Sequence, residues 1–280
     1  MLPVNICIAK GMSSNQIGCS CLTDEFWQIW KFNLDTRQSE QLTFDSQDKK
    51  EPKWYQKGRK FLYRTSNARI YSVLDENNDG KKILEKYGNL FDPDISPDSQ
   101  EMVFTRFKED LMDDSDIWKY NFLTRTIQKL TDMPGRQYDP VWSPDGGKIA
   151  YVSAVKNKKK YGVWVMDKSG ENKACVIETR YNNMKPCWSH DGRYIAYTSD
   201  AEGNSDIWVL DLTNNQKKRL TRFQGLDAQP VWSENDQTIF FVSTRQETLQ
   251  IWQMKANGSD KKPVTPMNKK CTDPVWINTK

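Results

Sequence analysis

Apolar and polar residues alternate in short runs along most of the chain, and turn-forming residues break the runs at regular intervals. In the stretch 139–153, DPVWSPDGGKIAYVS, Trp142 precedes a Ser-Pro-Asp-Gly-Gly segment, and Ile149 and Tyr151 alternate after it. This reads as a strand, a tight turn and a second strand, with Gly146 and Gly192 supplying the positive φ such a turn requires. Val163, Val165 and Met166 predict a third strand, and Lys168-Ser169-Gly170 turns the chain into a fourth.

The pattern then repeats, as KPCWSHDGRYIAYTS at 185–199 and QPVWSENDQTIFFVS at 229–243. Prolines anchor the copies: Pro52, Pro93, Pro140, Pro186, Pro230 and Pro274, spaced 41, 47, 46, 44 and 44. Two residues after each stands a large apolar side chain: Trp54, Ile95, Trp142, Trp188, Trp232 or Trp276. Eleven residues after the first five come Tyr63, Phe104, Tyr151, Tyr197 and Phe241. Units tend to end in an apolar-Thr pair, as at Leu130-Thr131, Leu220-Thr221 and Val264-Thr265. Four strands in about 40–45 residues is the size of one propeller blade. A blade cannot bury both faces alone, so the Trp and Tyr rings are expected between neighbouring blades.

The expected fold is all-β, a six-bladed β-propeller with four-stranded blades in one domain spanning 1–280. The blades fall at about 15–43 plus 273–280, 51–85, 91–131, 139–180, 185–221 and 229–265, with 1–14 outside the repeat. Residues 16–34 align without a gap on 194–212, whereas DPVW at 273–276 opens a unit that stops at Lys280. The C-terminal strand should therefore pair with N-terminal strands in one shared blade, which removes exposed sheet edges.

These residues resemble the TolB-type (WD40-like) propeller repeat, P-x-W-S-P-D-G-x-x-I-A-Y…D-I-W-x-x-D. The match is nearly letter for letter at 139–153 and 185–211, and looser at 51–85, 91–131 and 229–265, where Asp94-Ile95 and Glu234-Asn235 depart from it. The resemblance implies a periplasmic or extracytoplasmic setting and a protein-binding role. The same repeat also forms the non-catalytic propeller of prolyl-oligopeptidase-like peptidases.

Composition narrows the function classes. Mean hydropathy is -0.82, yet 11 Trp, 11 Tyr and 11 Phe supply apolar mass spaced along the sequence. With 41 basic and 37 acidic residues, the net charge of +4 gives no domain-wide basic field of the kind that nucleic acid requires. The Lys156–Lys160 run reads as a solvated loop. No stretch has the length of a membrane span, and MLPVNICIAKGMSS lacks the basic n-region and A-x-A site of an intact signal peptide.

Candidate chemistry is sparse. The single histidine, His190, replaces the proline of a Ser-Pro-Asp-Gly turn and reads as a solvated turn residue. Six cysteines show no CxxC spacing, and Cys7, Cys19, Cys21 and Cys271 fall in or near the closing blade. They are read either as small buried apolar residues or as a source of a disulfide stapling the ring. Cys19 and Cys21 are placed on opposite faces of their strand. Asp75, Asn77 and Asp79 in DENNDG fit the start of a calcium loop, although position 12 falls on Lys86. Otherwise no cofactor is expected.

The residue before each proline should recur around the channel axis: Glu51, Asp92, Asp139, Lys185, Gln229 and Asp273. Such a ring would gather a cation or basic ligand group at the channel mouth, or cap backbone at the strand starts. The longer connections, such as 109–116, 156–161 and 200–206, should share one face, where Phe91, Arg136, Tyr138, Met184 and Leu226 would anchor a protein or peptide. The expected function is a non-catalytic scaffold. The alternatives are a carbohydrate-active or small-ligand-binding propeller that uses channel carboxylates, and a detached accessory propeller of a peptidase-like assembly. A scaffold should show ordinary carboxylates and an exposed aromatic surface; an enzyme should show a deep pocket with a strongly perturbed carboxylate.

Overall fold

The computed structural model describes residues 15–277, apart from 56–59, 66–70, 75–80, 85–86, 89, 109–110, 155–159 and 179. The calcium-loop segment at 75–80 and most of the Lys156–Lys160 run lie outside the described residues.

The strands assemble into six four-stranded sheets, each antiparallel, and their order gives the connectivity of a β-propeller. In five of them the strands follow one another in sequence, from Lys49–Tyr55, Leu90–Ile95, Gln137–Trp142, Asn183–Trp188 and Asp227–Trp232 outward. In the sixth, the innermost strand is Cys271–Ile277, which pairs with Gln16–Thr23; Phe26–Asn33 and Ser39–Gln41 complete the sheet. The chain ends thus meet in one shared blade. Among the described residues, no helix is long and apolar enough to cross a membrane.

The repeat letters each have a physical role. In the Ser-Pro-Asp-Gly turn, Ser143 Oγ donates to Asp145 Oδ1 at 2.6 Å and accepts from Lys148 N at 2.8 Å, while Gly147 N donates to Asp145 Oδ1 at 3.0 Å. The turn survives the sequence departures. Asn235 takes the aspartate's place beside Ser233 at 2.8 Å. Ser99 and Asp236 adopt the positive φ, 58° and 56°, that Gly146 and Gly192 provide elsewhere.

The apolar-Thr pair closes the outer half of the blade. Thr43, Thr131, Thr221 and Thr265 each accept the buried N–H of Ile29, Ile117, Ile207 or Ile251 at 2.8–3.0 Å. In two blades the threonine hydroxyl in turn donates to a buried aspartate, Asp116 or Asp206. Thr221→Val would leave the buried Ile207 N–H unpaired and Asp206 Oδ1 with only the longer bond from Phe223 N at 3.4 Å. It should cost about 1.5 kcal/mol in urea unfolding, whereas Thr221→Ser keeps both bonds and should cost less than half of that.

Aromatic rings fill the gaps between blades. One cluster joins Ala196, Ile207, Val209 and Leu220 of one blade to Trp232, Ile239, Phe241, Trp252 and Met254 of the next. Trp232 stacks on Tyr194 with centroids 6.2 Å apart, and Trp276 stacks on Phe240 at 5.7 Å. Tyr151, Tyr197, Phe104 and Phe241 are among the largest fully buried side chains. Each such ring contributes about 2–3 kcal/mol by removal from water.

Candidate functional site: a proline-anchored ring around the channel

Every innermost strand carries a β-bulge at the residue before its proline and the proline itself. Proline can sit there because a bulge leaves one residue out of the ladder, so its missing N–H costs no ladder bond. All six preceding residues have left-handed φ: Glu51 54°, Asp92 48°, Asp139 53°, Lys185 51°, Gln229 55° and Asp273 54°. That conformation costs a non-glycine residue about 1–2 kcal/mol, so something must hold it.

What holds it is a head-to-tail circuit of hydrogen bonds. Asp92 N donates to Glu51 Oε2 at 2.9 Å, Asp139 N to Asp92 Oδ2 at 3.4 Å, and Lys185 N to Asp139 Oδ2 at 3.1 Å. Asp273 N donates to Gln229 Oε1 at 2.9 Å, and Glu51 N to Asp273 Oδ2 at 3.4 Å. Each side chain therefore accepts from the backbone of the next blade. Lysine has no acceptor, so at the Lys185 position Thr198 Oγ1 substitutes and takes Gln229 N at 3.0 Å. Of the two expected roles, capping of the backbone is the one these contacts display.

The cation that the acids gather is internal. Lys185 Nζ reaches Asp92 Oδ1 at 2.9 Å and Asp139 Oδ1 at 2.5 Å, while an Arg64 guanidinium nitrogen reaches Glu51 Oε1 at 3.1 Å. Burial raises the Asp139 carboxyl to about 7; Lys185 opposes this and Asp92 adds to it. At Asp92 burial also pushes upward, but Lys185 and the bonds from Lys185 and Thr105 outweigh it and hold the group at about 2. Burial, then the Asp92 charge, raises Glu51. Lys185 is held well above its ordinary value: burial works against its charge, but Asp139, Asp92 and Glu51 prevail.

Beyond the ring lies a cavity of about 430 Å³. Its walls are the prolines and Trp54, Trp142, Trp188, Trp232 and Trp276, and its rim includes Pro97, Pro144 and His190 from the short turns. None of Phe91, Arg136, Tyr138, Met184 and Leu226 lines it. The ring residues line the cavity, whereas the expected loop-face anchors do not. The strand runs from the loop side through the ring toward the turns, so the cavity opens beside the turns. The five loop residues are half-buried rather than exposed. Phe91 packs edge-on to Phe107 at 5.1 Å, Tyr138 edge-on to Tyr161 at 5.2 Å, and Leu226 joins a core cluster.

Sequence reasoning missed several features. Lys53 and Asp94 face each other across the cavity wall at 3.4 Å, and Asp94 also accepts Trp142 N at 2.8 Å. Phe44, Tyr181 and Met267 are the exposed large apolar residues of the blade-to-blade connections, 70%, 38% and 68% exposed. Their only sequence signal was their place just outside the repeat. His190 pairs with Asp236 at 3.2 Å, and that carboxylate also accepts the backbone N–H of His190 and Asp191, which ties two turns together.

The placement of Cys19 and Cys21 on opposite faces is also corrected. Residues two apart on a strand share a face, and their sulfurs lie 3.5 Å apart. Cys21 forms a disulfide with Cys271 across the seam between the chain ends, while Cys19 is a buried free thiol whose pKa is raised, chiefly by burial.

Sheet order, bulged inner strands and axial cavity together define a β-propeller. A family model described as the TolB beta propeller domain matches residues 198–279. The chain is 30% identical over 89 residues to the Tol-Pal system protein TolB of Hydrogenovibrio crunogenus, a match covering 31% of this chain and 21% of that protein. It is also 30% identical over 121 residues to the uncharacterized peptidase YuxL of Bacillus subtilis, covering 42% of this chain and 18% of the other. The crystal structure of TolB from Acinetobacter baumannii superposes with a TM-score of 0.82 at 18% identity, over 95% of this chain and 67% of that one. Over residues 198–279 the chain is similar to the TolB-type propeller, and its fold is that of a β-propeller. Its matches span less than a quarter of the length of these two curated relatives.

Proposed function

We propose that this six-bladed propeller is a non-catalytic scaffold that binds a protein or peptide partner, in the cell envelope, through its axial cavity. The observation that carries this reading is the cavity wall itself. Five tryptophans and six prolines present rigid apolar surface around a carboxylate ring, and rigid aromatic surface with few polar groups suits an extended peptide. The exposed Phe44, Tyr181 and Met267 offer further contact on the opposite, loop-bearing face.

The test is selection of binders from a random peptide library. Selected peptides should lose about tenfold or more in affinity on a Val141→Trp variant, because Val141 lines the cavity and the added ring would fill it. Peptides that bind wild type and variant equally, or no peptides at all, would sink the reading. A melting curve of the variant separates a blocked cavity from an unfolded protein.

A second reading has one observation in its favour. Asp139 meets the criterion for an enzyme, a carboxyl raised to about 7 in a deep cavity, and so would serve a carbohydrate-active site. It ranks second because both Asp139 oxygens are already engaged by Lys185, one by the side chain and one by the backbone. Release of reducing ends from an oligosaccharide panel, abolished in Asp139→Asn, would reverse the order. The YuxL match keeps a third role within reach, that of an accessory propeller for a peptidase.

A further inference from the structure

A second concavity, of about 710 Å³, lies at the outer edge of the propeller, between the blade ending in Gln216–Arg219 and the next. One side is that outermost strand and its continuation to Arg222; the other is the hairpin at Asn257, Gly258 and Ser259 with Lys261. Gly258 has φ 92°, and a Cβ there would meet the Leu220 carbonyl oxygen at 2.9 Å, so the hairpin sits directly on the neighbouring blade.

Five cations line this groove, Lys217, Lys218, Arg219, Arg222 and Lys261, and Glu202 is the sole acid among the lining residues. Arg219 is committed to Asp206 at 2.5 Å and Glu202 at 3.7 Å. Lys218 and Lys261 reach only the backbone carbonyls of Asn257 and Gly258. Lys217 and Arg222 have no ion-pair partner among the described residues. Burial, followed by the guanidinium of Arg245, holds the Lys261 ammonium below its ordinary value, with Asp227 opposing and Arg222 adding weakly.

The repeat supplies an internal control. Gly170 sits on the Leu130 carbonyl as Gly258 sits on that of Leu220, with the same clash at 2.8 Å for an added Cβ. Lys173 reaches the Gly170 carbonyl just as Lys261 reaches that of Gly258. At that seam, however, Ile127, Gln128 and Asp132 stand where Lys217, Lys218 and Arg222 stand here. Its Lys129 is neutralised by Asp116 and Asp132. The two seams thus share the hairpin contact, and of the two only the one at Gly258 carries the uncompensated charge.

We propose that this groove is an anion site that takes a phosphate-type oxyanion group. Convergent ammonium and guanidinium donors without carboxylate partners are suited to such a group, because charge-assisted bonds to an oxyanion outweigh those to backbone carbonyls. Either a soluble oligophosphate or a phospholipid headgroup carries the chemistry.

The experiment titrates the purified protein with inorganic tripolyphosphate by calorimetry at low salt. In parallel, it sediments the protein with phosphatidylcholine vesicles containing phosphatidylglycerol. Wild type should bind, with affinity falling as sodium chloride rises. The Lys218→Gln/Arg222→Gln double variant should lose about tenfold or more, and Lys173→Gln in the control seam should stay within about twofold; exposed substitutions of this kind leave folding intact. Tripolyphosphate binding alone would assign a soluble oxyanion, and binding of both probes with the same variant dependence a headgroup. Absence of tripolyphosphate binding, or equal losses in the double and control variants, would overturn the site.

Discussion

A Cys271→Ala variant should unfold with about 4–5 kcal/mol less free energy than the oxidised wild type. The disulfide joins Cys21 to Cys271 across a sequence separation of 250. In the chain-entropy account such a bond removes a large share of the unfolded chain's freedom, and the benefit grows slowly with loop size. The seam it closes is also the one place where a blade is held by strands from both ends of the chain. Guanidinium denaturation of wild type, Cys271→Ala and Cys175→Ala would measure it. Cys175 is exposed and outside the disulfide, so its replacement leaves the chain-end seam intact and should change little. A loss below about 1.5 kcal/mol in Cys271→Ala would mean that strand pairing alone closes the ring.

Lys185→Met should destabilise the protein by about 2–3 kcal/mol at pH 8, and by clearly less at pH 4. Removing one partner of a buried ion cluster leaves the others uncompensated, and the low end of the usual cost applies because the lysine lines a cavity. The pH sign follows from the acids. Asp139 has a folded pKa raised to about 7, above its unfolded value, so from about pH 4 to 7 the folded state holds the proton more tightly and this group's contribution falls as pH rises. Asp92, held at about 2, behaves oppositely; its contribution is present above its unfolded pKa and is lost only in strong acid. Without Lys185 both carboxyls should protonate more readily, so acid relieves the variant. Urea midpoints at the two pH values decide the matter: an equal loss at both would show that the lysine acts through packing and not through charge.

The blades were legible because packing imposes the same residue type at the same place in every unit. Trp142 and Tyr151 could be read by offset from an anchoring proline and Thr131 from its place at a unit's end, and the pairing of the chain ends followed from the partial unit at 273–276. The ring positions were legible for the same reason. Their work was not, since the acceptor for each N–H comes from another blade, 41 to 47 residues away at four ring positions and 222 residues away at Glu51. The substitution of Thr198 for Lys185 has no local signal. Half-burial of Tyr138 and Phe91 was equally hidden, because it depends on Tyr161 and Phe107 from the same blade's other strands. The basic groove emerges only when an outer strand is laid against the hairpin of its neighbour.

The interruption at Lys185 bears on orientation. A uniform ring would present six equivalent poses to any axial ligand, and that degeneracy would favour binding by about 1 kcal/mol of mixing entropy while erasing angular information. One lysine leaning over two carboxylates, with a threonine filling the gap behind it, gives the axis a single azimuth. Any molecule that reads this charge pattern is received in one rotational setting, and its outer portions then meet particular blades instead of arbitrary ones.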